Sequence, residues 1–514
     1  MPAPDAYLGI DLGTSAVKAL LVDATGRVLG QGSAEHPISH PRPHYAEQDP
    51  ADWWRGVLVA TRQAVGSTGQ DRVAAIGLSG QMHGTVLLGP DDEVLAPAII
   101  WPDQRSWRQV DEITELVGAK RLIELTGSPV ATGFQAASIR WVQQEQPRVW
   151  DRTRRVLLPK DEIRRRLTGN IATDPSDGSG ALLLDVRRRD WSDELLAALD
   201  VERERLPAVH PSSSVAGNLR PAVASQLGLP PGIPVVAGAA DAACAALGAG
   251  IVDPSTMLLT FSTGAQTLIP AAEVKVDRRG RLHTFCSAME PGAGGTGWYT
   301  MGATLTAGLA MRWLRDSVFA LDGADAYDRM TAWAGETSLG AGGLLFLPYL
   351  VGERTPHMDP RARGLFLGLT ARHGRAELVR AVMEGVVLAA YDAFTALTDL
   401  GATPTRIIVA GGGARSSLWR QIVADIFNLP VLPLLHQEQS ASGAALLAAA
   451  GVHSIDPRTV APTWATYGEP VEPDAEHHAG YQDLFRLFRS SYVQHRDDFV
   501  ELGAFDTQDP SGNR

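Results

Sequence analysis

The stretch Tyr7-Leu8-Gly9-Ile10-Asp11-Leu12-Gly13-Thr14-Ser15-Ala16-Val17-Lys18 decides how the fold is read. Residues 7–12 predict a strand, Gly13-Thr14-Ser15 a turn, and residues 16–23 a second strand. Ala24-Thr25-Gly26 turns the chain again into residues 27–32, so it opens as a meander. The second half begins in the same order: strand 256–261, turn Ser262-Thr263-Gly264, strand 265–270. Each half later runs a strand into a glycine turn. Residues 73–78 meet Ser79-Gly80, and residues 406–410 meet Gly411-Gly412-Gly413 before a helix over 416–427. Element order that repeats in this way predicts a duplicated α/β architecture.

A Gly-Thr-Ser turn between paired strands exposes backbone N–H groups and two hydroxyls that can cradle phosphate oxygens. Asp11, just before it, suits a Mg²⁺ held through water. An ordinary hairpin turn would use the same residues. The matching turn at Ser262-Thr263-Gly264 favours the phosphate reading, since two such turns facing each other would clamp a nucleotide. Other nucleotide motifs are missing. The four lysines, Lys18, Lys120, Lys160 and Lys275, never follow a glycine, so there is no G-x-x-x-x-G-K-[ST] loop. No G-x-G-x-x-G stands between a strand and a helix early in the chain, which argues against a Rossmann site.

Composition sets the outer limits. The chain has 514 residues, 45% hydrophobic and 20% charged, with a net charge of -12. These values describe a folded multi-domain protein and disfavour a dedicated nucleic-acid binder. Cys244 and Cys286 are too few for a disulfide framework and point to a reducing cytoplasm, and no signal peptide is read at the N-terminus. Residues 235–252 mimic a membrane span, but their small residues and preceding prolines predict a strand, a turn and a helix, so no membrane partner is expected. Asp241 is the single charge in that run, which makes it the first suspect for chemistry.

The histidines His36, His40 and His44 have helical spacing, but Pro37, Pro41 and Pro43 forbid the helix a metal ladder would need. Ser79-Gly80-Gln81-Met82-His83-Gly84 instead packs amide, thioether and imidazole into a loop at a strand end, where α/β proteins bind ligands. Helical patterning covers residues 52–66, 107–126, 136–146, 160–168 and 193–200. Over 479–499, Tyr481, Leu484, Phe485, Phe488 and Tyr492 recur at helical spacing as core residues. A boundary at 251–254 gives domains 1–252 and 253–503 with a frayed tail at 504–514.

Gly9 to Ser15, the run Gly77 to Gly84, Leu158-Pro159-Lys160-Asp161, Ala172-Thr173-Asp174 and Ser176-Asp177 together resemble the FGGY family of carbohydrate kinases, its xylulokinases most. Asp185 with Arg189-Asp190-Trp191-Ser192, the run Phe346 to Leu350, Gly352-Glu353-Arg354-Thr355-Pro356-His357 and Gly411 to Arg415 extend the resemblance in one unbroken order. It implies an actin-like, ribonuclease H-like fold of two domains with a central cleft, and ATP- and Mg²⁺-dependent phosphorylation of D-xylulose.

By the same resemblance Asp241 is the catalytic base, and Gln81, Met82 and His83 form the sugar turn. Gly13, Thr14, Ser15 and Lys18, with Ser262, Thr263 and Gly264, meet the phosphates. Gly411, Gly412 and Gly413 lie against the adenosine, and Asp11 holds the metal through water. A homodimer is implied too. Three departures stand out. Ala242 follows the base where xylulokinases usually carry Asn, the second turn is Ser-Thr-Gly rather than Gly-Thr-Ser, and Trp101-Pro102-Asp103 replaces Trp-Asn-Asp. The first opens the alternatives of ribulose, gluconate or glycerol as substrate. A non-catalytic sensor on the same fold would need no base at Asp241.

Overall fold

A computed structural model describes residues 6–66, 72–292, 295–435 and 438–505. The opening meander forms over Ala6–Leu12, Ala16–Asp23 and Val28–Glu35. The chain divides into two compact units, one of Met1–Asp253, Pro270–Tyr299 and Glu438–Thr466, the other of Pro254–Ile269, Thr300–Gln437 and Tyr467–Arg514.

In the first unit the main path of the sheet runs Val215–Asn218, Pro234–Val236, Val73–Gly80, Ala6–Leu12, Ala16–Asp23, Val28–Glu35, and Ala239–Ala240 also pairs with Val73–Gly80. Ala6–Leu12 and Val73–Gly80 are buried almost throughout, as strands covered on both faces must be. Helix Pro50–Val65 packs on the two outer meander strands, and helix Gln439–His453 packs on Ala6–Leu12 and Val73–Gly80. Register places these helices on opposite faces. Gly9 pairs with Leu20 and Leu20 with Gln31, while a Cβ on Gly30 or Gly32 would strike the helix Pro50–Val65.

Helix Gln439–His453 approaches unusually closely because its contacts are glycine against backbone. A Cβ added to Gly9 would lie 1.9 Å from the Ala441 carbonyl oxygen, and one on Gly77 1.8 Å from that of Ala444. The same helix meets the short helix Asp241–Gly248 in this manner: a Cβ on Gly443 would lie 2.0 Å from the Cys244 oxygen.

In the second unit, five strands of a sheet follow the order Trp298–Thr304, Ala265–Ala271, Thr256–Phe261, Arg406–Gly411, Val431–Pro433. This matches the first unit's Val28–Glu35, Ala16–Asp23, Ala6–Leu12, Val73–Gly80, Pro234–Val236, with the same parallel pairing between the third, fourth and fifth strands. Element order is therefore duplicated. Helix Arg375–Asp399 is long and apolar enough to cross a membrane, yet most of it is buried in the fold.

Two sequence expectations change in detail. Residues 107–126 are not one helix: Gly118, at φ 87°, divides them into Trp107–Val117 and Ala119–Thr126. The C-terminal helix is longer than its aromatic repeat, Ala475–Gly503, with Tyr481, Phe485, Phe488 and Tyr492 buried and Leu484 half-buried. Of the tail, residues 506–514 lie outside the described residues.

The glycine contacts yield a stability test. Gly443→Ala drives a methyl into a backbone oxygen that cannot retreat, and should lower unfolding free energy by roughly 1–3 kcal/mol. Gly335→Ala, at an exposed helix end with nothing near its added Cβ, should be neutral or stabilise by up to about 1 kcal/mol. Urea midpoints measure both. Equal midpoints would mean that the helix does not approach so closely.

Candidate active site

Three parallel strand ends bring the first group of residues together. Asp11 pairs in register with Ser79, and Ser79 with Ala239, so Asp11, the loop after Gly80 and Asp241 all sit at carboxyl ends of neighbouring strands. Such ends are where open α/β sheets bind ligands. Asp241 is the first residue of helix Asp241–Gly248, and its Oδ1 accepts the Ala242 N–H at 2.7 Å.

Burial pushes the Asp241 carboxyl up to about 7, the nearby Asp11 adds repulsion, and the Ala242 hydrogen bond partly opposes both. Asp11 rises to about 6, again through burial, against a 2.8 Å hydrogen bond from Ser79 and the charge of Lys18. Lys18 stands opposite Asp11 on the next strand, and its Nζ pairs with Glu438 at 2.7 Å.

The phosphate-type turn is held from behind. Gly13 N–H donates to the Ala16 carbonyl at 3.0 Å, Trp101 Nε1 donates to the Thr14 hydroxyl at 2.8 Å, and Ser15 is exposed. Gln48 Nε2 donates to the Thr14 carbonyl at 2.7 Å, and Gln48 Oε1 accepts from Gln81 Nε2 at 2.8 Å and from Trp53. His36 bonds both Gly13 and Gln48. Gln81 itself is 1% exposed, so its amide braces the loop.

His83 closes the turn in a rare conformation. At φ 74°, with Gly84 N–H bonded to the Met82 carbonyl at 3.0 Å, it centres a strained γ-turn of a kind that clusters at functional sites. Its ring lies 3.8 Å from that of Phe134, and Nδ1 donates to the Gly180 carbonyl at 2.8 Å. Met82 is buried, and its sulfur accepts from the Tyr299 hydroxyl at 3.9 Å.

The second unit carries its own cavity, of about 720 Å³, a size that suits a nucleotide-sized ligand. Ser262, Thr263, Gly412 and Gly413 line it at the ends of paired strands, with Phe261 stacked on Trp419 at 5.1 Å beside them. Gly264 and Gly411 stand behind the wall: added Cβ atoms would strike the Thr304 and Phe261 carbonyl oxygens. A Cβ on Gly412 would meet nothing within 4 Å, so this backbone is open to a ligand. Glu353 anchors the turn from beneath. Its Oε1 accepts the Leu305 N–H at 2.8 Å, and the same loop donates Ala307 and Gly308 N–H groups to Thr263 and Ser262. Burial pushes Glu353 up to about 8.

Sequence reasoning did not find Gln48, Trp101 or Glu353 as supports, nor His36 as a partner of the turn. A lone glutamine has no motif. Glu353 and Trp101 carried a signal, since both lie in runs that the resemblance singled out, whereas His36 stood out only through its spacing from His40 and His44.

Residues 6–248 match the N-terminal domain and residues 257–452 the C-terminal domain of the FGGY family of carbohydrate kinases. The xylulose kinase of Bacillus subtilis (strain 168) is 35% identical over 501 residues, 97% of this chain and 99% of that one. The crystal structure of a xyloylose kinase from Brucella ovis superposes with a TM-score of 0.89 at 34% identity, over 96% of this chain and 99% of that one. The gluconokinase of Bacillus subtilis (strain 168) is 30% identical over 505 residues, 95% of this chain and 97% of that one. This chain belongs to the FGGY family of carbohydrate kinases. Its duplicated α/β fold is the actin-like fold of that family, as the sequence led us to expect.

The raised carboxyls make stability depend on pH. Asp11 and Asp241 bind protons more tightly folded than unfolded, so their contribution is complete below about pH 4 and is lost as pH rises through about 6 and about 7. Asp241→Asn does not titrate. Its stability relative to wild type should therefore rise from pH 5 to pH 8, measured by urea midpoints at both. An unchanged gap would mean that the carboxyl is not raised.

Proposed function

We propose that this carbohydrate kinase transfers the γ-phosphoryl group of ATP to the 5-hydroxyl of D-xylulose, with Asp241 as general base. The observation that carries the proposal is the Asp241 carboxyl, poised near neutral pH at a strand end. The Met82-His83 turn follows the strand paired with the one that leads to it. The named relatives favour a ketose as acceptor.

The first unit would supply the base, the sugar contacts and the Gly13-Thr14-Ser15 turn. The second would hold adenosine against Gly412, Gly413 and the Phe261–Trp419 wall. Asp11 fits a Mg²⁺ held through water, because its oxygens are hard donors and its repulsion with Asp241 is of the kind a dication relieves. Bound there, the ion would supply neutralisation of phosphate charge. Phosphoryl transfer has a loose transition state, so the chain's own work is positioning. His83 orients the ketose, and Asp241 Oδ takes the hydroxyl proton as the oxygen attacks. Both cysteines are buried free thiols, in keeping with a cytoplasmic setting.

Gluconate is the second reading, favoured by one observation. Ala242 is buried beside the base and offers a methyl where an amide would bond the ketose. ADP release across pentuloses, polyols and sugar acids separates the two. D-xylulose should give the highest kcat/KM, and a tenfold advantage for another acceptor would replace the named sugar.

Asp241→Asn should lower kcat by about 10²–10⁴-fold while ATP affinity holds. Because the base must be ionised, wild-type kcat/KM should climb with pH and level off above about 7. A flat profile, or near-normal turnover by the variant, assigns the proton elsewhere. Gly412→Val should fold normally yet weaken ATP binding at least tenfold, since its side chain enters the cavity. Unchanged ATP affinity by titration calorimetry would move the adenosine site.

A further inference from the structure

Behind Asp241 lies a group of fully buried charges that sugar and nucleotide binding do not use. Lys160 and Arg164, both 0% exposed, face Asp161, Asp174 and Asp177, of which the first is 1% exposed and the others 0%. Lys160 Nζ lies 2.8 Å from Asp161 and 3.1 Å from Asp174, and Arg164 lies 2.8 Å from Asp161. Burying so many ions is costly unless geometry repays it, and simple apolar packing would fill the same space. The arrangement must therefore hold something in place.

What it holds is the approach to the base. Lys160 and Arg164 both donate to the Ala237 carbonyl, at 3.3 and 2.6 Å. Asp174 Oδ2 accepts the hydroxyls of Ser176 and Ser212, at 2.5 and 2.9 Å. With its proton committed to Asp174, the Ser176 hydroxyl oxygen accepts the Ala240 N–H at 3.0 Å. Ala240 immediately precedes Asp241 and is the cap of its helix. An ion pair from Lys160 to Asp174, a charge-assisted hydrogen bond from Ser176 to Asp174 and a neutral one from Ala240 to Ser176 thus form a chain in which each link orients the next.

We infer that Ser176, held by Asp174 and Lys160, is a positioning residue that fixes where the Asp241 carboxyl sits. The inference rests on the reading of Asp241 as base. It gives a role to two motifs, Leu158 to Asp161 and Asp174 to Asp177, that resemblance marked without explaining. Asp177 belongs to the same cluster: burial keeps its carboxyl raised well above the ordinary range, against the pull of Lys160.

The test is a double-mutant cycle on the full chain, with ATP, D-xylulose and an ADP-coupled readout. Ser176→Ala should cut kcat about tenfold with the KM for ATP within twofold of wild type. In an Asp241→Asn background the same change should cost less than twofold, because a residue acting through the base has nothing left to position. Should Ser176→Ala fail to fold by thermal melt, Ser176→Cys keeps the packing and replaces the hydroxyl with a weak thiol acceptor, and the same losses apply. An unaltered kcat in the folded variant, or a full tenfold loss repeated in the Asp241→Asn background, overturns the inference. If Asp241→Asn alone keeps wild-type turnover, the base itself is misassigned, and the cycle shows that separately.

Discussion

The close approach of helix Gln439–His453 to the first sheet is the contact on which the active carboxylates depend. Side chains normally keep the backbones of packed elements apart, and glycine removes that spacer. Here Gly9 and Gly77 let the helix backbone settle on the strands, and Gly443 and Gly248 let it lie against helix Asp241–Gly248. The Asp241 helix is consequently held between a sheet strand and a neighbouring helix with almost no side-chain volume to spare. Ser440 adds a direct tie, its hydroxyl donating to the Asp241 carbonyl at 3.1 Å. A helix of eight residues has little stability of its own. Its position is imposed from outside.

That packing also accounts for the chemistry. Among the described residues, Asp11 accepts from Ser79 and Asp241 from the Ala242 N–H, so the carboxyls lose hydration without full replacement. Each then resists ionisation, and Asp11 raises Asp241 further. For the proposed base a pKa near neutrality is useful, because the carboxyl is substantially ionised yet still basic enough to take a proton. Asp177 differs although it too is buried. It faces Lys160 at 3.7 Å within a closed cluster, and its burial serves geometry.

Much of this was legible in the residue order, for local reasons. Strand 7–12 and its turn announce themselves through alternation and Gly-Thr-Ser, and Asp241 through its isolation among small apolar residues. The repeat of strand, turn and strand at 256–270 exposed the duplication. Long-range partners left no such trace. An alanine-rich helix at 439–453 carries no mark of which sheet it joins, because glycine complementarity is shared between segments hundreds of residues apart. Gln48 is similar: its role arises only when Thr14, Gln81 and Trp53 converge on one amide. The γ-turn at His83 was hidden because histidine does not advertise a positive φ.

Ala242 shows how the two levels meet. In sequence it is a departure from an expected amide, and in the structure it is a methyl buried on the first turn of the Asp241 helix. Its N–H is already given to Asp241, so backbone cannot stand in for the missing side chain. In the proposed reading, acceptor recognition then falls to His83, whose ring Gly180 and Phe134 hold in one orientation. A ring fixed in this way would select the position of one hydroxyl sharply and tolerate variation at the others. Under the proposed function, the missing amide beside Asp241 and the strain at His83 form one arrangement: discrimination would be concentrated at a residue the fold has already fixed.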